Sequence, residues 1–218
     1  SCIFSLDFIL VFIFGYLMIM SRRKIVILFS LILLLSFNSV VIKAKDGYLG
    51  QKDSFLKKSN GKIIKLNRNV IKLSNYNNDD RKKVKKILSK YSFYRMKYLS
   101  DGLEVVGYMV RPKKKGKYPV IIYNRGGNKE DGKIDKNLLS YFKYLSSKGY
   151  VVIGSQYRGN EGGEGKEEYG GADVNDVLNL IPLAKSLPFT RNDQIVMYGG
   201  SRGGMMTYLA IKRGADIK

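Results

Sequence analysis

From residue 120 onward the chain repeats one pattern, a short continuous apolar run followed by a stretch of helical periodicity, and few architectures accommodate it. The apolar runs lie at 120–123, 150–153 and 194–198. Between the first two, Ile134, Leu138, Leu139, Phe142 and Leu145 recur at helical spacing and Lys148-Gly149 supplies a stop. Between the second and third, Val174, Val177, Leu178 and Ile181 share one face of a helix over 172–186, which Pro182 is expected to kink or shorten. A third helix over 203–213 ends at Gly214. Strands that are apolar throughout, each followed by a helix, predict an α/β domain with a mostly parallel sheet covered on both faces.

The chemistry gathers where the third strand meets the third helix. Gly199-Gly200-Ser201-Arg202-Gly203 is a G-x-S-x-G in the strand–turn–helix setting that the motif requires. A sharp turn there lifts the serine hydroxyl above the carboxyl edge of the sheet, and the start of the helix favours developing negative charge. Ser201 is therefore the candidate nucleophile, the alternative being a merely structural tight turn. Directly after the first strand stands Asn124-Arg125-Gly126-Gly127-Asn128. Backbone amides around Gly126–Asn128, with that of Arg202, suit a tetrahedral oxyanion, unless the segment is an ordinary glycine-rich turn. A third glycine-rich segment, 157–165, fits neither G-x-G-x-x-G nor G-x-x-x-x-G-K-[ST]. Its glutamates, with Glu167 and Glu168, read as a solvated loop, with a metal or a substrate amine as the other reading. No cofactor or metal is expected.

Ahead of this region, Tyr94, Met96 and Tyr98 alternate with Arg95 and Lys97, and Asp101-Gly102 provides the residues of a type I′ turn. The expected β-hairpin continues through 103–110 and ends at Arg111-Pro112. Residues 45–90 read as a basic linker or pre-domain, within which Asn78-Asp79-Asp80 caps a helix reaching Leu88. The net charge of +21 is concentrated here: residues 43–118 carry 22 basic and 6 acidic side chains, whereas 119–218 carry 14 and 11. No aromatic platform or nucleic-acid motif accompanies the lysines, so a solvated face is expected rather than nucleic-acid binding.

Residues 1–19 form an apolar segment, and residues 20–44 combine Ser21-Arg22-Arg23-Lys24 with a second apolar run at 25–37. The second block has the form of a secretory signal peptide. The alternative is a membrane hairpin formed by both runs, which would associate residues 1–42 with a bilayer. Either reading exports the remainder of the chain. The lone Cys2 excludes an internal disulfide framework. The absence of histidine means that these 218 residues cannot by themselves furnish a Ser-His-Asp triad.

The segments YPVIIYNRGGN, SQYRGNEGGEGKEEYGGADVNDVLNLI and IVMYGGSRGG, in that order, resemble the catalytic domain of prolyl oligopeptidase-type serine peptidases, which are α/β-hydrolases. YLSDGLEVVGYMVRP is similar to the strands leading into that domain, so the resemblance covers about 94–218. It implies a partial α/β-hydrolase fold over 91–218, Ser201 as nucleophile and an oxyanion amide from Arg202. Arg125 falls where some relatives place an oxyanion-binding Tyr, which makes it an oxyanion-binding candidate; the departure bears on the side-chain donor and leaves a backbone donor at the same position. Relatives usually carry a β-propeller ahead of the hydrolase domain, and 45–90 is too short for one. The order Ser, then Asp or Glu, then His implies that the acid and base lie beyond residue 218, Asp216 being too close behind the elbow helix. The chain is thus expected to be an amino-terminal fragment, inactive by itself, of a serine peptidase, the alternatives being a carboxylesterase or dienelactone hydrolase-like enzyme and a non-catalytic relative that binds an anionic surface.

Overall fold

A tight turn organises the sheet: Asp101 and Gly102 both adopt positive φ, 53° and 81°, which matches the right-handed twist of the strands they join. The computed structural model describes residues 59–68, 70–129 and 131–218. The expectations for residues 1–44, and for the part of the basic segment before residue 59, lie outside the described residues. The turn joins β2 (Tyr91–Ser100) to β3 (Leu103–Pro112) in a ten-residue antiparallel ladder. Three strands at the carboxyl side complete the α/β part: β4 (Tyr118–Asn124), β5 (Val151–Ser155) and β6 (Thr190–Gly199).

The segment read as a basic linker is partly built into the domain. Within it β1 (Ile63–Asn67) pairs antiparallel with β2, and α1 (Asn78–Lys90) runs directly into β2. The helix cap sits one residue earlier than expected, since the Asn77 side chain accepts from the Asp80 amide while Asp79 and Asp80 occupy the first turn. The described sheet has the order β1-β2-β3-β5-β4-β6. It is mixed rather than mostly parallel. Only β5/β4 and β4/β6 are parallel, because the hairpin and β1 add antiparallel partners on one side.

Helices cover both faces. Strict alternation along β2 and β3 divides their apolar side chains: Tyr94, Met96, Tyr98, Val105 and Met109 enter one core, Phe93, Val106, Tyr108 and Val110 the other. The first core is closed by α3 (Val174–Leu178), α4 (Leu180–Ser186) and α5 (Arg202–Lys212). The second is closed by α2 (Lys136–Ser147), with Ile87 and Leu88 of α1 packed against it. Phe142 of α2 is fully buried, and burial of such a side chain contributes about 1.5–3 kcal/mol. The expected single helix over 172–186 is broken at Asn179, which ends α3 and begins α4. Pro182 explains the break, because its ring nitrogen has no proton to offer the Leu178 carbonyl four residues back.

Candidate active site

Ser201 sits at the junction of β6 and α5 with φ 54° and ψ −129°, a conformation that a residue bearing a Cβ adopts only when its surroundings impose it. Here the turn is closed by the Gly203 amide on the Gly200 carbonyl (2.9 Å) and the Gly204 amide on the Ser201 carbonyl (2.9 Å). The backbone of β4 supplies the other wall. A methyl group added to Gly203 would stand 1.9 Å from the Asn124 carbonyl oxygen, so the elbow approaches the end of β4 at a distance only glycine permits. Ser201 itself is exposed at the carboxyl edge of the parallel strands. The Asn124 side chain donates to Thr207 Oγ1 (2.8 Å), and its Oδ1 is buried without a partner among the described residues.

The loop after β4 faces the serine. A methyl group on Gly126 would lie 3.6 Å from Ser201 Cβ, and the Gly127 carbonyl accepts from Arg202 Nη1 at 3.1 Å. Arg202 opens α5, so its amide has no carbonyl one turn earlier within the helix and is directed to the start of the helix beside the serine. Ser201, Gly126, Gly127 and the Arg202 amide are thus brought together.

Arg125 is different. Its side chain is wholly buried and turned inward, donating to the carbonyls of Gly126 (3.2 Å), Asp131 (3.2 Å), Lys129 (3.4 Å) and Gln156 (2.9 Å). Its own carbonyl accepts from Tyr157 Oη at 2.9 Å. Burial pushes the Tyr157 phenol well above its ordinary pKa, against the pull of Arg202 and Arg125, so it stays a donor. The guanidinium at position 125 therefore shapes the loop and is not placed to meet an oxyanion.

Of the glutamates expected in a solvated loop, Glu161, Glu164 and Glu168 are exposed, and Glu167 departs from that expectation. Glu167 is 9% exposed and accepts from both Arg125 Nη2 (3.2 Å) and Arg202 Nη1 through Oε1, and from the Lys129 amide (3.1 Å) through Oε2. Glu168 accepts from the Ala172 amide, and Glu161 from Tyr108 Oη (2.8 Å) and Gln156 Nε2 (2.9 Å). Asp173, fully buried, accepts from Arg202 Nη2 (2.7 Å) and from the Gly170 amide (2.9 Å). No group of three or more Asp, Glu or Cys positioned for a metal ion occurs among the described residues. The sequence signal for this network was faint: Glu167 lies 42 residues from Arg125 and 35 from Arg202.

Two cavities bear on where a substrate could lie. An open cleft of about 510 Å³ runs past Gly126 and is walled by Tyr123, Leu138 and Tyr141. A more enclosed space of about 460 Å³ lies between α1 and α2, and no residue of the elbow or of the 124–127 loop lines it. Its position separates it from the serine.

An exposed serine on a strand-to-helix elbow, above a mixed sheet with helices on both faces, defines the class of architecture: it is an α/β-hydrolase-like fold. More particularly, residues 137–217 match the prolyl oligopeptidase family. The chain is 39% identical over 124 residues to the uncharacterized peptidase YtmA of Bacillus subtilis (strain 168), an alignment covering 56% of this chain and 47% of the relative. It thus spans about half the length of that protein. Among solved structures, acetyl xylan esterase 1 from Thermoanaerobacterium sp. JW/SL YS485 superposes with a TM-score of 0.51 at 17% identity, covering 76% of this chain and 53% of the esterase. A putative dipeptidyl aminopeptidase IV from Bacteroides ovatus ATCC 8483 gives 0.51 at 24% identity, covering 59% and 20%. These two likenesses establish the shared fold.

Proposed function

We propose that the protein is an exported serine hydrolase that cleaves peptide bonds by acyl transfer. The observation that carries this reading is Ser201, exposed and held at positive φ between Gly126 and the start of α5. Its Oγ attacks the acyl carbon of the substrate and its proton passes to an imidazole. That imidazole comes from outside residues 1–218, which contain no histidine. The carbonyl oxygen becomes an oxyanion facing the amides of Arg202 and of Gly126–Gly127, and one such donor is worth about 10²–10³ in rate. The amine leaves with the proton, and water releases the acyl group by the same steps in reverse. The peptidase assignment is supported by the identity with a protein named a peptidase, and export by the basic cluster and apolar run of residues 21–37.

Treatment of the full-length gene product with a fluorophosphonate probe tests the reading. Covalent labelling is expected, in the envelope or medium fraction, with none in Ser201→Ala. A short peptide anilide should be turned over, with the activity lost in Ser201→Ala. Labelling that survives Ser201→Ala would remove the nucleophile, a cytoplasmic labelled band would remove export, and ester hydrolysis with no cleavage of any peptide or anilide would make the enzyme a carboxylesterase.

A further inference from the structure

Glu167 touches neither Ser201 nor the space in front of it, yet it bridges the two pieces of backbone that face the serine. Its Oε1 holds Arg125 Nη2 and Arg202 Nη1 together, and its Oε2 takes the Lys129 amide. Arg125 in turn gathers the carbonyls of Gly126, Lys129 and Asp131 around one guanidinium, which fixes the curvature of the loop that carries Gly126 and Gly127. Arg202 reaches the same loop through the Gly127 carbonyl, and its guanidinium lies against the rings of Tyr157 (4.6 Å) and Tyr169 (4.4 Å). A single carboxylate therefore links the residue after the nucleophile to the loop opposite it.

The electrostatics give this link a sign. The Arg125, Arg202 and Glu167 side chains are 0%, 7% and 9% exposed, so solvent screens them poorly. Asp173 offsets part of the charge on Arg202. With Glu167 neutralised, two guanidinium groups sharing one buried site would repel, and the elbow and the 124–132 loop would move apart.

We infer that Glu167 is a positioning residue, whose carboxylate sets the spacing between the Arg202 amide and the Gly126–Gly127 amides. The inference rests on Ser201 acting as the nucleophile. Donor spacing matters most when the oxyanion forms, so a change in it acts on kcat more than on KM. A carboxylate that merely braced the fold would change the melting temperature and leave the kinetics of the folded enzyme alone.

The test uses the full-length gene product and a peptide anilide substrate. Glu167→Gln is expected to lower kcat by about 10²-fold, as a misplacement on the order of an ångström does, with KM held within about twofold. Affinity for a peptidyl trifluoromethyl ketone, which forms the oxyanion on Ser201, should fall in parallel with kcat, while a non-reactive substrate analogue should bind as before. Unchanged kcat with a lowered melting temperature would overturn the inference. If Glu167→Gln does not fold, Glu167→Asp keeps the charge but shortens its reach by one methylene; a kcat loss at constant KM supports positioning, and wild-type kcat overturns it. Turnover retained in Ser201→Ala would defeat the nucleophile reading and this one together, an outcome distinct from an insensitive Glu167.

Discussion

Two buried arginine–carboxylate clusters emerge from the same stretch of chain, residues 157–176, and they have opposite consequences. In the first, Arg158 meets Asp176 through Nε (3.1 Å) and Nη2 (2.8 Å) and continues to Asp101 (2.9 Å). Asp176 also accepts from Ser100 Oγ (2.6 Å) and from the Arg158 amide (2.8 Å). Burial pushes the Asp176 carboxyl up, with Arg158 and Ser100 offsetting part of that push. Burial would likewise depress Arg158, and its two carboxylates outweigh it and hold the guanidinium above its ordinary value. Four donor groups thus converge on Asp176 in this pair. It ties the hairpin turn to α3, two elements that make no chemistry.

The second cluster spreads Glu167 over two arginines, sets Asp173 against one of them, and directs other donors to loop carbonyls around Ser201. The difference is one of attachment. A pair that joins regular elements fixes topology, whereas a network that joins loops fixes the relative position of backbone amides. The two can be separated by experiment.

The largest effect should come from the first cluster. Arg158→Met leaves Asp176 in the interior without its cation, and removal of one partner from a buried pair costs about 3–5 kcal/mol. Urea unfolding measures this directly. A loss below about 1 kcal/mol would place the hairpin's attachment elsewhere, in the apolar contacts of Tyr98 and Val105, and would dissolve the contrast.

Next in size is a change at the second region that leaves its charges alone. In Gly203→Ala the new methyl meets the Asn124 carbonyl, and either β4 or α5 must shift. Overpacking of this kind costs about 1–3 kcal/mol. Because the strain falls on the elbow, probe labelling of Ser201 should decline more steeply than stability does. Full labelling at reduced stability would mean that the elbow tolerates displacement and that its geometry is not the sensitive quantity.

What could be read from the sequence follows the same division between local and distant causes. The hairpin was legible because Asp101-Gly102 allows little else, and the elbow because the glycines around Ser201 stand between a strand pattern and a helix pattern. The helix of residues 136–147 was legible from its spacing. By contrast β1 escaped notice: IIKLN exposes Ile64 and Leu66 to solvent, so no burial pattern marks it as a strand. The mixed character of the sheet was hidden because residue spacing does not say that β3 of the hairpin pairs with β5. The Glu167 network could not be read from spacing at all, since a carboxylate in a loop looks solvated until the fold brings two arginines to it. Arg125 looked like a substituted oxyanion residue because its backbone position is right, while the direction of its side chain is set by Gln156 and Glu167 from other loops.

The smallest effect calibrates the other two. Lys97 and Glu104 pair across the hairpin at 2.9 Å, closer than the Arg125–Glu167 contact, but their side chains are 25% and 42% exposed. If burial rather than distance gives the two clusters their weight, this pair must contribute little. A double-mutant cycle over Lys97→Ala and Glu104→Ala is expected to give a coupling of about 0.2–1 kcal/mol at low salt. That coupling should shrink in 1 M NaCl, where the screening length is roughly 3 Å. The stability loss in Arg158→Met should scarcely respond to the same salt. A coupling at Lys97–Glu104 of several kcal/mol, or an equal salt response at both sites, would show that short contact alone governs these ion pairs, and the distinction between a fold-holding cluster and a site-holding network would have to rest on connectivity without burial.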